Sequence, residues 1–158
     1  MARKLEGLEV ERQDTKEGFD EANDTGREIA EIKKRQSALI EGLTPPEDSD
    51  HEAILAAKEA VREDARADYR YRTTDVVDEL SRQSEGLQAE GSESEEETRD
   101  SARHMEQAGG VSEYGRDTVD RASEQLNATG DEFRSIIERV RAEAEEAKRR
   151  ASDVESEI

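Results

Sequence analysis

The 158-residue chain carries 43 acidic against 24 basic residues, a formal charge of −19, with 42% charged, 31% hydrophobic and 3% aromatic residues. Leu, Ile, Val and Phe together number 25 of 158, too few for a compact globular core and in the range where composition alone favours disorder. Long helices that each bury one narrow apolar stripe remain open. Acidic residues outnumber basic ones throughout: 11 to 8 in residues 1–43, 13 to 6 in 44–91, 6 to 2 in 92–109 and 13 to 8 in 110–158. That field opposes direct nucleic-acid binding and docking on an anionic membrane, and is complemented by a basic protein surface. The absence of cysteine excludes disulfides, zinc–thiolate sites and thiol catalysis.

In chain order, residues 3–43 read as a helix. Ile29, Ile32, Gln36, Leu39 and Leu43 alternate by three and four, the rhythm of a coiled-coil seam. Upstream the rhythm weakens around Leu5, Leu8, Phe19 and Ala22, and Gly18 and Gly26 each cost about 1 kcal/mol in a helix interior. The first half is therefore expected to be frayed or dependent on a partner. Thr44-Pro45-Pro46 ends the helix, because proline excludes the α conformation before it and cannot continue the hydrogen-bond ladder. A proline turn over 44–50 follows.

The second helix, 51–90, carries Ile54, Ala57, Val61, Ala65, Tyr69, Val76, Leu80 and Leu87. Ile54, Ala65, Val76 and Leu87 recur at an eleven-residue interval, which predicts a nearly straight or slightly right-handed supercoil. Residues 91–93 read as a loop, after which Ser94 and Glu97 form a capping box for a short helix over 94–108, a stretch that equally fits a continuation of the second helix with a local break. Gly109-Gly110 marks a turn. The last helix, 111–158, has the strongest seam: Ala122, Leu126, Thr129, Phe133, Ile136, Val140, Ala144, Ala147, Ala151, Val154 and Ile158. Small seam residues let backbones approach but bury little area, at about 25 cal/mol per Å². The expectation is one all-α domain spanning 1–158. Its architecture is an elongated antiparallel helical bundle or coiled coil of three to four helices, oligomeric in solution.

No motif for chemistry stands out. His104 follows Asp100 by four residues, but position 101 is Ser, and His51 has only local Asp neighbours. Both histidines read as solvent-exposed, and no metal or cofactor is expected. With so many carboxylates, pairs at helical spacing arise by chance and need a pocket before they become an acid/base pair. Phosphate-binding glycine loops and nucleophile elbows are absent from the sequence. Of the three tyrosines, Tyr69 lies on the apolar stripe, while Tyr71, between Arg70 and Arg72, suits a partner anchor.

The residues expected to form an interface are Ile29, Ile32, Leu39, Ile54, Val61, Val76, Leu80, Leu87, Leu126, Phe133, Ile136, Val140 and Tyr71. The leading expectation is a non-enzymatic interaction or scaffold protein that binds itself or a helical partner through these seams. A second is an acidic nucleic-acid mimic that blocks a basic DNA- or RNA-binding protein. A third is a helical accessory or delivery module of an exported toxin system. No segment reads as membrane-spanning or as a signal peptide, so a soluble, cytoplasmic protein is expected, unless a signal-less route exports it.

Overall fold

A computed structural model describes residues 1–42, 48–108 and 113–158. Among them the chain is all-α, with no strand: α1 (Ala2–Glu41), α2 (Asp48–Tyr69), a π turn (Arg70–Thr74), α3 (Asp75–Ala108) and α4 (Glu113–Glu155). Thr44-Pro45-Pro46 and the Gly109-Gly110 turn lie outside the described residues. α2 starts at Asp48, inside the segment expected as a proline turn. Residues 91–93, expected as a loop, lie within α3.

Gly91 explains that difference. A methyl group there would stand 2.8 Å from Ile137 Cγ1, so the glycine is a point of close helix approach and not a break. The loss of helix propensity is local and about 1 kcal/mol, which packing across the helix offsets.

The chain falls into two compact units, Met1–Lys16 with Arg82–Glu143 and Glu17–Ser81 with Ala144–Ile158. In the first, Leu8, Leu87, Phe133, Ile136 and Val140 form a buried cluster with Leu5 packed against it. Three helices supply these residues. Arg99 to Asp131 and Arg134 to Glu95 pair α3 with α4 in opposite directions. Arg139 to Glu9 and Arg12 to Glu143 pair α1 with α4 in the same direction. Arg12 occupies a seam position and is buried with Thr15.

In the second unit, Phe19, Ala22, Val77, Ala144, Ala147 and Ala151 form one cluster, and Ile29, Ala65, Tyr69 and Ile158 another. Polar side chains are tied into both. The Tyr69 hydroxyl donates to the Ala151 carbonyl, and Thr73 Oγ1 donates to the Ala22 carbonyl at 3.2 Å. Asn23 Nδ2 donates to the Phe19 carbonyl at 3.0 Å, while its buried Oδ1 has no partner among the described residues.

Most buried positions follow three-and-four spacing. On α1 these are Leu8, Arg12, Thr15, Phe19, Ala22, Gly26 and Ile29, with Leu5 half-buried at the start and Asn23 buried beside Ala22. This reverses the expectation for that helix. Its first half holds the packed seam, and the later residues Ile32 and Leu39 are exposed. The seam was hidden because Arg12, Thr15 and Gly26 occupy positions where an apolar side chain would announce it. On α4, Val119, Ser123, Leu126, Gly130, Phe133, Ile137, Val140, Ala144, Ala147, Ala151 and Val154 are all buried or half-buried, and Ile158 beyond its end is buried. An eleven-residue echo is four plus three plus four, so it arises within a seven-residue repeat and needs no separate supercoil.

Between α2 and α3 the phase shifts. The Asp75 N–H donates to the Arg70 carbonyl five residues back, and both flanking residues keep right-handed helical angles, so the helix runs on through a wider turn. Seven residues make two α-helical turns, which would set Val76 in phase with Tyr69. The extra residue moves that place to Val77, which is 2% exposed, and leaves Val76 39% exposed.

Candidate interaction surface

The thirteen residues expected at an interface divide by exposure. Ile29, Leu87, Phe133, Ile136 and Val140 are buried in the clusters just described, covered by the chain's own helices. Ile54, Val61, Leu80 and Leu126 are half-buried. Ile32, Leu39, Tyr71 and Val76 are exposed, Leu39 by 75% and Tyr71 by 76%.

Three of these exposed side chains line two hollows along α1 in the second unit. Gly18, Glu21, Ala22 and Thr25 of α1 face Tyr71, Arg72, Asp75, Val76, Glu79 and Leu80 across a groove of about 660 Å³. A smaller hollow lies further along α1, where Ile29, Ile32, Lys33 and Gln36 face Asp64, Ala65 and Asp68. Residues 18, 22, 25, 29, 32 and 36 are spaced by three and four, so both hollows lie on one face of α1.

Close packing brings α1 against the facing helix at two glycines. A methyl group at Gly18 would come within 3.1 Å of Leu80 Cδ1, and one at Gly26 within 2.7 Å of Tyr69 Cε2 and 3.0 Å of Thr73 Oγ1. The π turn that meets Gly26 also sets Val76 outward, beside the exposed Tyr71. Around the rim carboxylates predominate. Arg72 is bonded to Asp68 at 3.3 Å, and Lys33 Nζ donates to the Glu157 carbonyl at 3.4 Å.

Displaced ionisation belongs to ion pairs and to one buried phenol. The Arg12 guanidinium, hydrogen-bonded to Glu9, holds that carboxyl below its ordinary value and is itself raised by the same bond. Glu146 is lowered mainly by its hydrogen bond from Arg149. Burial, with the Glu155 charge second, pushes Tyr69 up to about 12. Each ion-pair displacement favours the charged forms already present. His51 and His104 are both exposed. Among the described residues no group of three or more His, Cys, Asp or Glu is placed to hold a metal ion, and no helix is long and apolar enough to cross a membrane.

Sequence reasoning missed Val77, Ser81, Ser84 and Ser94, all buried. From Val77 the spacing through Leu80, Ser84, Leu87, Gly91, Ser94 and Thr98 is a seven-residue repeat. That spacing was the available signal, and small polar residues at its seam concealed it. The chain matches no protein-family model, no curated protein and no solved structure.

Proposed function

We propose that the chain acts without catalysis, as a coiled-coil interaction or scaffold protein that engages a helical partner, another protein or a second copy. The observation that carries this reading is the uneven use of apolar residues. Most seam residues are consumed by the chain's own packing, whereas Tyr71 and Val76 line one hollow beside α1, Ile32 lines the next, and Leu39 lies exposed beyond them. Exposed apolar residues that share a face are a feature of protein-binding surfaces. In this reading the helices form an antiparallel bundle whose unconsumed stripe is the working surface.

The test is association measured by light scattering, with the chain alone and in native extract, for wild type and for Ile32→Asp with Leu39→Asp. The expected result is a wild-type assembly that the double variant loses while its helicity by circular dichroism stays unchanged. A wild-type chain that remains a monomer under both conditions sinks the reading.

The uniform excess of acid supports a second reading, a mimic of nucleic-acid charge directed at a basic DNA- or RNA-binding protein. The two differ in salt response. A charge-dominated complex weakens steeply between about 50 and 200 mM salt, and an apolar one changes little.

A further inference from the structure

We propose that the groove between α1 and the π turn docks a cationic amphipathic helix from another protein, an inference that rests on the interaction reading above and names its site and partner chemistry. The groove is built by a change of register. In an uninterrupted α-helix Val76 would pack beneath Tyr69. The extra residue of the π turn gives that place to Val77 and turns Val76 outward beside Tyr71. π turns within α-helices are frequent at functional positions, and here the turn leaves Val76, which an ordinary helix would cover, in water beside the exposed Tyr71.

Shape selects the class of occupant. The two hollows follow α1 from Gly18 to Gln36, about 27 Å at 1.5 Å per residue. A narrow track that carries Ile32, Tyr71 and Val76 between charged side chains suits an amphipathic helix laid along it, which presents side chains every three or four residues. Tyr71 is well suited to anchor it, since an amphipathic aromatic ring contributes large contact area at low entropic cost.

Charge selects the partner. Glu21, Asp75 and Glu79 line the first hollow and Asp64 and Asp68 the second. Arg72 is paired with Asp68 and Lys33 Nζ donates to the Glu157 carbonyl, and along the two hollows five carboxylates stand against these two cations. A helix with one aliphatic stripe flanked by Lys and Arg complements such a rim. A second copy, itself at −19, brings mainly like charge.

The test titrates the full chain with a synthetic amphipathic helical peptide bearing a leucine stripe and lysines opposite, and with a twin in which glutamate replaces every lysine. Fluorescence anisotropy is the readout. The lysine peptide is expected to bind and the glutamate twin not. Tyr71→Ala with Val76→Ser, which leaves the net charge unchanged, should weaken binding about tenfold or more with unaltered helicity. Glu93→Gln with Glu96→Gln, exposed positions on α3, should change it less than about twofold.

Equal binding of the two peptides, no binding, or binding indifferent to Tyr71 and Val76 overturns the proposal, as does self-association that excludes the peptide. A chain that assembles with helices yet ignores Tyr71 and Val76 sinks the groove and leaves the broader reading standing. One that associates with no helix sinks both.

Discussion

Gly26 and Tyr69 meet so closely that a methyl group on the glycine would stand 2.7 Å from the Tyr69 ring. Two effects oppose each other at this position. Alanine gains about 1 kcal/mol of helix propensity over glycine, but the ring cannot retreat, because its hydroxyl is held by the Ala151 carbonyl. Overpacking a well-filled site costs about 1–3 kcal/mol, so Gly26→Ala is expected to destabilise. Gly86→Ala, with nothing within 4 Å of the added carbon, should stabilise by about 0.5–1 kcal/mol. Urea unfolding of both variants checks the opposite signs. If both stabilise, the close approach is not rigid.

The Tyr69 phenol, raised to about 12 by burial, makes stability sensitive to alkali. Its folded value lies above the ordinary 10, so its neutral form is favoured by folding. That contribution is complete below pH 10 and is lost as pH rises toward 12. Tyr69→Phe should be less stable than wild type at neutral pH by about 1 kcal/mol, from the lost hydrogen bond. The gap should narrow or reverse above about pH 11. Thermal unfolding of both proteins across that range is the measurement, and a gap independent of pH would contradict it.

Arg12 is an ion-paired guanidinium at a core position, bonded to Glu9 and Glu143. Arg12→Ala leaves Glu143 without its partner and Glu9 with Arg139 alone, and is expected to cost about 2 kcal/mol. That is below the figure for a fully buried pair, because Glu9 keeps contact with water. Arg12→Met, which fills the site with apolar volume, should stay within about 1 kcal/mol of wild type. Because Glu9 is lowered in the folded state, its contribution is present above its ordinary value and disappears as pH falls through the folded one. Wild type should therefore lose stability relative to Arg12→Met under acid, as chemical denaturation below pH 5 would reveal.

Exposure separates two kinds of apolar-to-acid substitution. Ile136→Asp and Val140→Asp place a charge in a buried cluster and should remove several kcal/mol or abolish cooperative unfolding. Ile32→Asp and Leu39→Asp alter exposed sites, with an expected change of about 0.5 kcal/mol or less. Melting followed by circular dichroism distinguishes them. Comparable damage from both pairs would mean that Ile32 and Leu39 carry packing inside the chain.

The all-helical class was legible because long amphipathic patterns survive even a thin apolar content, and α4 was the plainest case: Phe133, Ile136 and Val140 are large and sit among small residues. α1 was misread because apolarity served as the only marker of a seam. Arg12 is buried there by its two carboxylates, and Gly26 by the approach of Tyr69. Both roles depend on partners distant in sequence. The exchange of Val76 for Val77 was illegible for another reason. A π turn leaves no motif, and adjacent valines offer either phase equally. The exposed groove shares that origin, so its recognition needed the backbone.

The π turn also bears on how this chain tolerates changes in length. Deleting Arg72 would bring Tyr69, Thr73 and Val77 to three-and-four spacing, the regular repeat of an unbroken α-helix. It would remove only the exposed pairing with Asp68, of small value. At most helix positions a lost residue rotates everything beyond it by about 100° and scrambles the core. Here it would close a wide turn into a normal one, with the same side chains facing inward. The shortened protein is expected to retain its helicity and melting behaviour, with Val77 still in the seam and Tyr71 and Val76 still outward but one residue closer together. The extra residue thus acts as a spacer separable from the fold, and the difference between the two lengths isolates what the wide turn itself contributes.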